Sequence, residues 1–208
     1  MKHVYNKIAG KKVERIEELA DGVFSIAMTF LVFNLKLPDT DALSSDKEIL
    51  FALKKLLPDF LTFFVSFITL GIFWLGQSTQ FTYITKSDRN LYWIEIFFLM
   101  FITLLPFSAS FLARHIESKV ALVLYWLNIL CMGITLYIHW IYAVKSNYVT
   151  ISSPAISDAI KKRITESQTL YFLAFACCFI NNYISIFLIV GIQLHYAFAF
   201  FNIRIKKE

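Results

Sequence analysis

Apolar residues in this chain gather in six blocks, at about Ala20–Leu37, Asp59–Ile84, Leu91–Ala113, Val120–Val144, Thr165–Ile180 and Tyr183–Ile203, divided by Pro, Asn and charged residues. Crossing ~30 Å of hydrocarbon takes roughly 20 residues of helix. The blocks are continuously apolar instead of alternating, so they predict helices, which satisfy their own backbone hydrogen bonds, and not barrel strands. The expected fold is an all-α integral membrane protein, a single domain over residues 1–208 with six transmembrane helices. The fifth block is short, and Asn181-Asn182 after it reads either as a tight turn or as a polar break inside one longer bent element. Two connections predict helices of their own. Ser45-Asp46-Lys47-Glu48 has the capping-box form, followed by Ile49, Leu50, Leu53, Leu56 and Leu57 at helical spacing, which predicts an interfacial helix. The stretch from Ser152 to Ser167, with Pro154 near its start, reads as an extension of the fifth span.

Composition agrees with the pattern: 58% of the 208 residues are hydrophobic, 17% are charged, and there are 22 Phe. A lipid bilayer is the expected surroundings. The Lys-rich start before Ala20 superficially resembles a signal peptide, but the first block is too long for a cleaved segment and no small-residue cleavage pattern follows it. Six spans put both termini on one side, and that side carries fourteen Lys and Arg against six on the other. By the positive-inside rule both termini are expected in the cytoplasm. The net charge of +5 is therefore a topology signal and not a nucleic-acid footprint. Cys131, Cys177 and Cys178 all lie in apolar blocks and read as buried packing.

Candidate chemistry is sparse. No H-E-x-x-H, G-x-S-x-G, G-x-x-x-x-G-K or G-x-G-x-x-G occurs, so no enzyme constellation and no cofactor site are expected. Of four His, His139 stands near a span end beside Trp140 and reads as an interfacial anchor, while His195 lies deeper in the sixth span. The T-V-G-Y-G potassium filter is absent, and six Gly offer no comparable carbonyl loop. If ions pass, side chains must line their path.

Polar groups concentrate at the start of the first span, where Arg15, Glu17, Glu18 and Asp21 run into Gly22-Val23-Phe24-Ser25-Ile26-Ala27-Met28-Thr29. Asp21 sits at the membrane edge, either facing water at a helix N-terminus or, with Arg15, tying neighbouring helices together. The run from Arg15 to Asp21 resembles the R-x-x-x-F-S-D signature of the transmembrane protein 175 family, potassium channels of lysosomes with bacterial relatives. Gly71-Ile72-Phe73-Trp74, Asn90-Leu91-Tyr92-Trp93 and Leu104-Leu105-Pro106-Phe107 are also similar to that family's segments. The likeness covers the first half of the chain. Leu19-Ala20 replace the family's Phe-Ser, and Gln77 stands where its His is expected, so two partners of the polar network around the motif are exchanged together.

The resemblance implies a homotetramer in a bacterial plasma membrane, with the first helices of four subunits around one central pore and potassium as the permeant ion. Carried onto this chain, Ile26, Phe30 and Phe33 form the narrow apolar constriction, with Thr29 beside it for selectivity, and Arg15, Asp21, Trp74 and Asn90 hold the helix packing. The spacing i, i+4, i+7 puts the three constriction residues on one helix face. An apolar ring would gate by staying dry. The alternative function is a secondary transporter, whose candidate polar residues in the helix bundle are Glu95, Asn128, Asn181 and His195.

Overall fold

The computed structural model describes residues 9–36, 45–151 and 153–198. Its helices are α1 (Val13–Phe30), α2 (Asp46–Lys55), α3 (Leu57–Phe81), α4 (Arg89–Arg114), α5 (Lys119–Lys145), α6 (Pro154–Ala176) and α7 (Asn182–Phe198). Short 3₁₀ turns follow α1 at Leu31–Asn34 and α6 at Cys177–Phe179. Among the described residues α3, α4 and α5 are long and apolar enough to cross a membrane, and α7 is apolar but shorter.

Several helices start where the sequence supplies a start signal. Ser45 accepts a hydrogen bond from the Glu48 amide at 3.4 Å while Glu48 accepts from the Ser45 amide at 3.2 Å, so the capping box that opens α2 is formed. Pro58 sits in the first turn of α3, and Asp88 caps α4 through the amide of Leu91 at 2.9 Å. Ser153 and Pro154 open α6. The residues from Pro154 onward form one unbroken helix with the apolar part of the fifth block. At the Asn181-Asn182 pair the chain makes a tight turn, in which the Asn181 side chain accepts from the Tyr183 amide at 2.8 Å.

The first helix begins seven residues earlier than its apolar block, at Val13 in place of Ala20. Val13 and Ile16 are buried, one to two turns ahead of Ala20 on the same face, while Glu14, Arg15 and Glu18 on the other faces are exposed. A run of mixed residues hides this one-sided burial from hydropathy. Helix α1 also ends earlier, at Phe30, and Leu37 lies outside the described residues, as do 199–203 of the sixth block.

The core is shared among α1, α3, α4, α5, α6 and α7, with three aromatic rings at the junction of α1, α3 and α4. Phe98 of α4 meets Phe24 of α1 and Phe73 of α3 at ring-centroid separations of 6.0 and 6.3 Å. Ala20 and Ala27 of α1 are buried on either side of Phe24, and such small residues let helices approach where van der Waals packing drives association in lipid. Gly133 of α5 does the same for α6, because a Cβ there would lie 2.1 Å from the Gln168 amide.

The loops at one end are sewn together. Ile84 pairs antiparallel with Val149, Thr85 N donates to Tyr148 O at 2.8 Å, and Thr150 N donates to Tyr83 O at 2.8 Å. The segment before α1 joins this end: Ser87 Oγ donates to Gly10 O at 2.8 Å, and Tyr92 OH donates to Lys12 O. Gly10 has φ +72°, and a Cβ on it would lie 2.9 Å from the backbone of Asp88 and Arg89. Gly10→Ala is therefore expected to lower stability by roughly 2 kcal/mol through left-handed strain and backbone overlap. A denaturant titration of the purified variant that matches wild type would show that this strap carries no weight.

Candidate functional site

Helix α1 is divided lengthwise. Val13, Ile16, Ala20, Phe24, Ala27 and Leu31 recur at intervals of three and four and are buried against the rest of the subunit. The opposite side is apolar too, yet it is left uncovered: Ile26 is 55% exposed, Phe30 53% and Phe33 71%. These three residues share one cavity of about 440 Å³ with Asn34 and with Thr103, Pro106, Phe107 and Ser110 of α4.

The spacing from Phe30 to Phe33 is achieved differently from the continuous α-helix expected. Residues 31–34 form a 3₁₀ turn, which brings side chains at i and i+3 close, and the two rings meet at 5.8 Å between centroids with their planes 52° apart. Thr29 is exposed beside them and donates its hydroxyl proton to the Ile26 carbonyl at 2.8 Å. Its oxygen lone pairs remain available to a donor or a cation. Beyond the rings, Asn34 Nδ2 donates to the Pro106 carbonyl at 3.1 Å and anchors the end of α1 on α4.

The motif residues are placed around this helix. Asp21 accepts a hydrogen bond from Trp74 Nε1 at 2.8 Å, which joins α1 to α3. Asp21 is exposed in the isolated subunit, not buried. Arg15 is exposed as well and makes no ion pair within 4.0 Å among the described residues, so the two are not brought together. Asn90 is the second residue of α4 and donates to Tyr142 OH at 3.2 Å; Tyr142 OH in turn donates to Asp88 Oδ2 at 2.7 Å. This knot belongs to the sewn loop end and is remote from the Asp21 contact in sequence and in partners.

A second polar group was not legible as a site. Gln77 and Gln80 of α3, Glu95 of α4 and His139 of α5 meet in the protein interior, each at most 1% exposed. Gln77 Nε2 donates to Glu95 Oε1, His139 Nδ1 lies 2.9 Å from Gln80 Oε1, and His139 Nε2 lies 3.4 Å from Glu95 Oε2. The reading of His139 as an interfacial anchor is thus corrected. Its neighbour Trp140 suggested a membrane edge, but both side chains are completely buried, with Trp140 Nε1 donating to Ser157 Oγ at 3.2 Å. The usable signal was Glu95, a lone carboxylate inside an apolar block, which must find a partner on another helix.

The polar residues considered for a transporter do not converge. Glu95 belongs to the cluster just described. Asn128 bridges into α4, donating to Phe101 O at 3.2 Å and accepting from Leu105 N and Ser108 Oγ at 3.2 and 3.3 Å. Asn181 serves its own turn, and His195 is exposed beside the Tyr196 ring.

Comparison with known proteins points one way. The sequence model of the family described as "Endosomal/lysosomal potassium channel TMEM175" matches residues 15–106. A protein of Chamaesiphon minutus named as a potassium channel is 28% identical over 188 residues, covering 88% of this chain and 92% of its own. Another so named, from Streptomyces collinus, is 26% identical over 191 residues, with 88% and 91% coverage. A crystal structure of a lysosomal potassium-selective channel TMEM175 homologue from Chamaesiphon minutus superimposes with a TM-score of 0.79 at 27% identity, covering 90% of this chain and 97% of that one.

The Asp21–Trp74 contact is a charge-assisted hydrogen bond at an exposed site. Removing it by Asp21→Ala or by Trp74→Phe is expected to cost about 1–2 kcal/mol of stability, with the double variant no worse than either alone. A thermal-unfolding double-mutant cycle checks this, and strictly additive losses would mean that the two side chains act separately.

Proposed function

The chain belongs to the TMEM175 family, and from that premise we propose that it is one subunit of a potassium-conducting homotetrameric channel. Four α1 helices surround the axis. Six segments cross the bilayer, namely α1 with its 3₁₀ turn, α3, α4, α5, α6 and α7, and α2 lies on the outer surface. Both termini are cytoplasmic, on the side that carries most of the Lys and Arg.

The observation that carries this reading is the uncovered apolar face of α1. Hydrocarbon side chains at Ile26, Phe30 and Phe33 stand more than half exposed while the opposite side of the same helix is sealed. A subunit with one such face is completed by copies of itself around a closed axis. Four Ile26 side chains, backed by Phe30 and Phe33, then form a dry ring, and a hydrated cation meets a barrier there until the ring widens or the ion sheds water. Potassium, which loses water at lower cost than sodium, is favoured, and the Thr29 oxygen offers a partial replacement for the lost hydration. No cofactor takes part beyond the permeant ion.

The constriction is tested by wetting it. Ile26→Asn in every subunit is expected to raise potassium flux into liposomes, and sodium flux proportionally more. Val32→Asn, on the adjoining turn but outside the shared cavity, is expected to change neither. Native mass spectrometry of the same samples should give a tetramer. Monomers alone, or a silent Ile26→Asn beside an active Val32→Asn, would move the path off the assigned face. Flux that requires a second, coupled solute would favour the transporter.

A further inference from the structure

The Gln77–Glu95–His139–Gln80 cluster lies apart from the cavity that Ile26, Phe30 and Phe33 share, and its hydrogen bonds fix the positions of its protons. Gln80 Nε2 donates to the Leu136 carbonyl at 3.1 Å, so the amide oxygen is the atom turned toward His139. An amide oxygen only accepts, and therefore His139 Nδ1 carries a hydrogen. Gln77 Nε2 donates to Glu95 Oε1, which leaves Glu95 Oε2 and His139 Nε2 facing each other, both buried and both without any other hydrogen-bond partner. In a neutral imidazole bonded through Nδ1–H, Nε2 is a bare acceptor. An ionised Glu95 would then set two acceptors against each other and leave an unbalanced negative charge in an apolar interior.

No other charged side chain among the described residues acts on either group. The surrounding elements present Gln77, Gln80 and the Phe81 ring from α3 and the Leu136 backbone from α5. One proton is required between Oε2 and Nε2. It can sit on His139, making an ion pair, or on Glu95, making an acid and a neutral base. The ion pair would have a single further donor, Gln77, to stabilise its carboxylate, too little to offset desolvation of two charges.

We propose that each subunit contains a proton-binding site in which Glu95, as a neutral carboxylic acid, donates to Nε2 of a neutral, Nδ1-protonated His139. The ligand is a single proton. Held there, it ties α3, α4 and α5 together without placing net charge inside the helix bundle.

The test uses the full-length channel in liposomes. Infrared spectra should contain a carboxylic-acid carbonyl band that shifts in D₂O, disappears in Glu95→Gln, and keeps its intensity from about pH 3 to about pH 6, across the range where an ordinary carboxyl loses its proton. Nitrogen NMR of ¹⁵N-histidine protein should show one protonated and one bare ring nitrogen for His139. Glu95→Gln preserves both hydrogen bonds with a neutral amide and is expected to move the melting temperature by less than about 3 °C, whereas His139→Ala should lower it by more than about 5 °C. A missing acid band, a band that titrates as an exposed carboxyl does, or a doubly protonated His139 ring would each overturn the proposal. The infrared and NMR readouts use the wild-type protein, so they decide the matter even if a variant fails to fold.

Discussion

A polar side chain that points into a membrane-embedded helix bundle has no water to turn to, and that single constraint organises this subunit. Helical backbones satisfy themselves, but Gln77, Gln80, Glu95, His139, Thr69 and Gln193 all reach zero or near-zero exposure and must be answered by one another. The answers determine which helices touch. Gln193 of α7 donates to Thr69 of α3, Gln80 of α3 donates to α5, and Glu95 of α4 stands between α3 and α5. Apolar packing around Phe24, Phe73 and Phe98 fills the rest, but Phe against Phe tolerates sliding, whereas a hydrogen-bonded amide permits only one register.

Against that fixed body, α1 is attached by one face only. Small residues at Ala20 and Ala27 bring it close, the Asp21–Trp74 bond holds its first half, and the Asn34–Pro106 bond holds the 3₁₀ turn at its end. The helix is therefore well positioned while its other face stays free to serve a neighbour. Under the proposed tetramer such an arrangement would separate two demands that conflict: a stable frame, and a lining that can move.

Much of the fold was legible because membrane helices announce themselves by composition, and local signals such as the Ser45–Glu48 box and Pro154 mark where helices begin. What escaped was whatever depends on a partner far along the chain. Val13 and Ile16 carry no hydropathy signal, since their burial is matched by charge on the other faces of the same helix. His139 looked like an edge residue because of the Trp beside it, and only the approach of α3 and α4 shows that both rings lie inside. At the candidate constriction the spacing of Ile26, Phe30 and Phe33 was readable, but not the 3₁₀ turn that brings the last two rings together, because a switch of helix type leaves no trace in residue identity. Arg15 and Asp21 both read in the sequence as ties between helices; within the subunit Asp21 bonds to Trp74 of α3, while Arg15 is exposed.

Pro106 has no amide hydrogen, so the Ile102 carbonyl one turn earlier lacks its helical donor and α4 is weakest against bending at that level. Two side chains from elsewhere grip this stretch: Asn128 of α5 holds the backbone at Phe101 and Leu105, and Asn34 holds Pro106 itself. The result is a fulcrum. The end of α1 that carries Phe30 and Phe33 is thus tied to α4 at the level where α4 bends most easily.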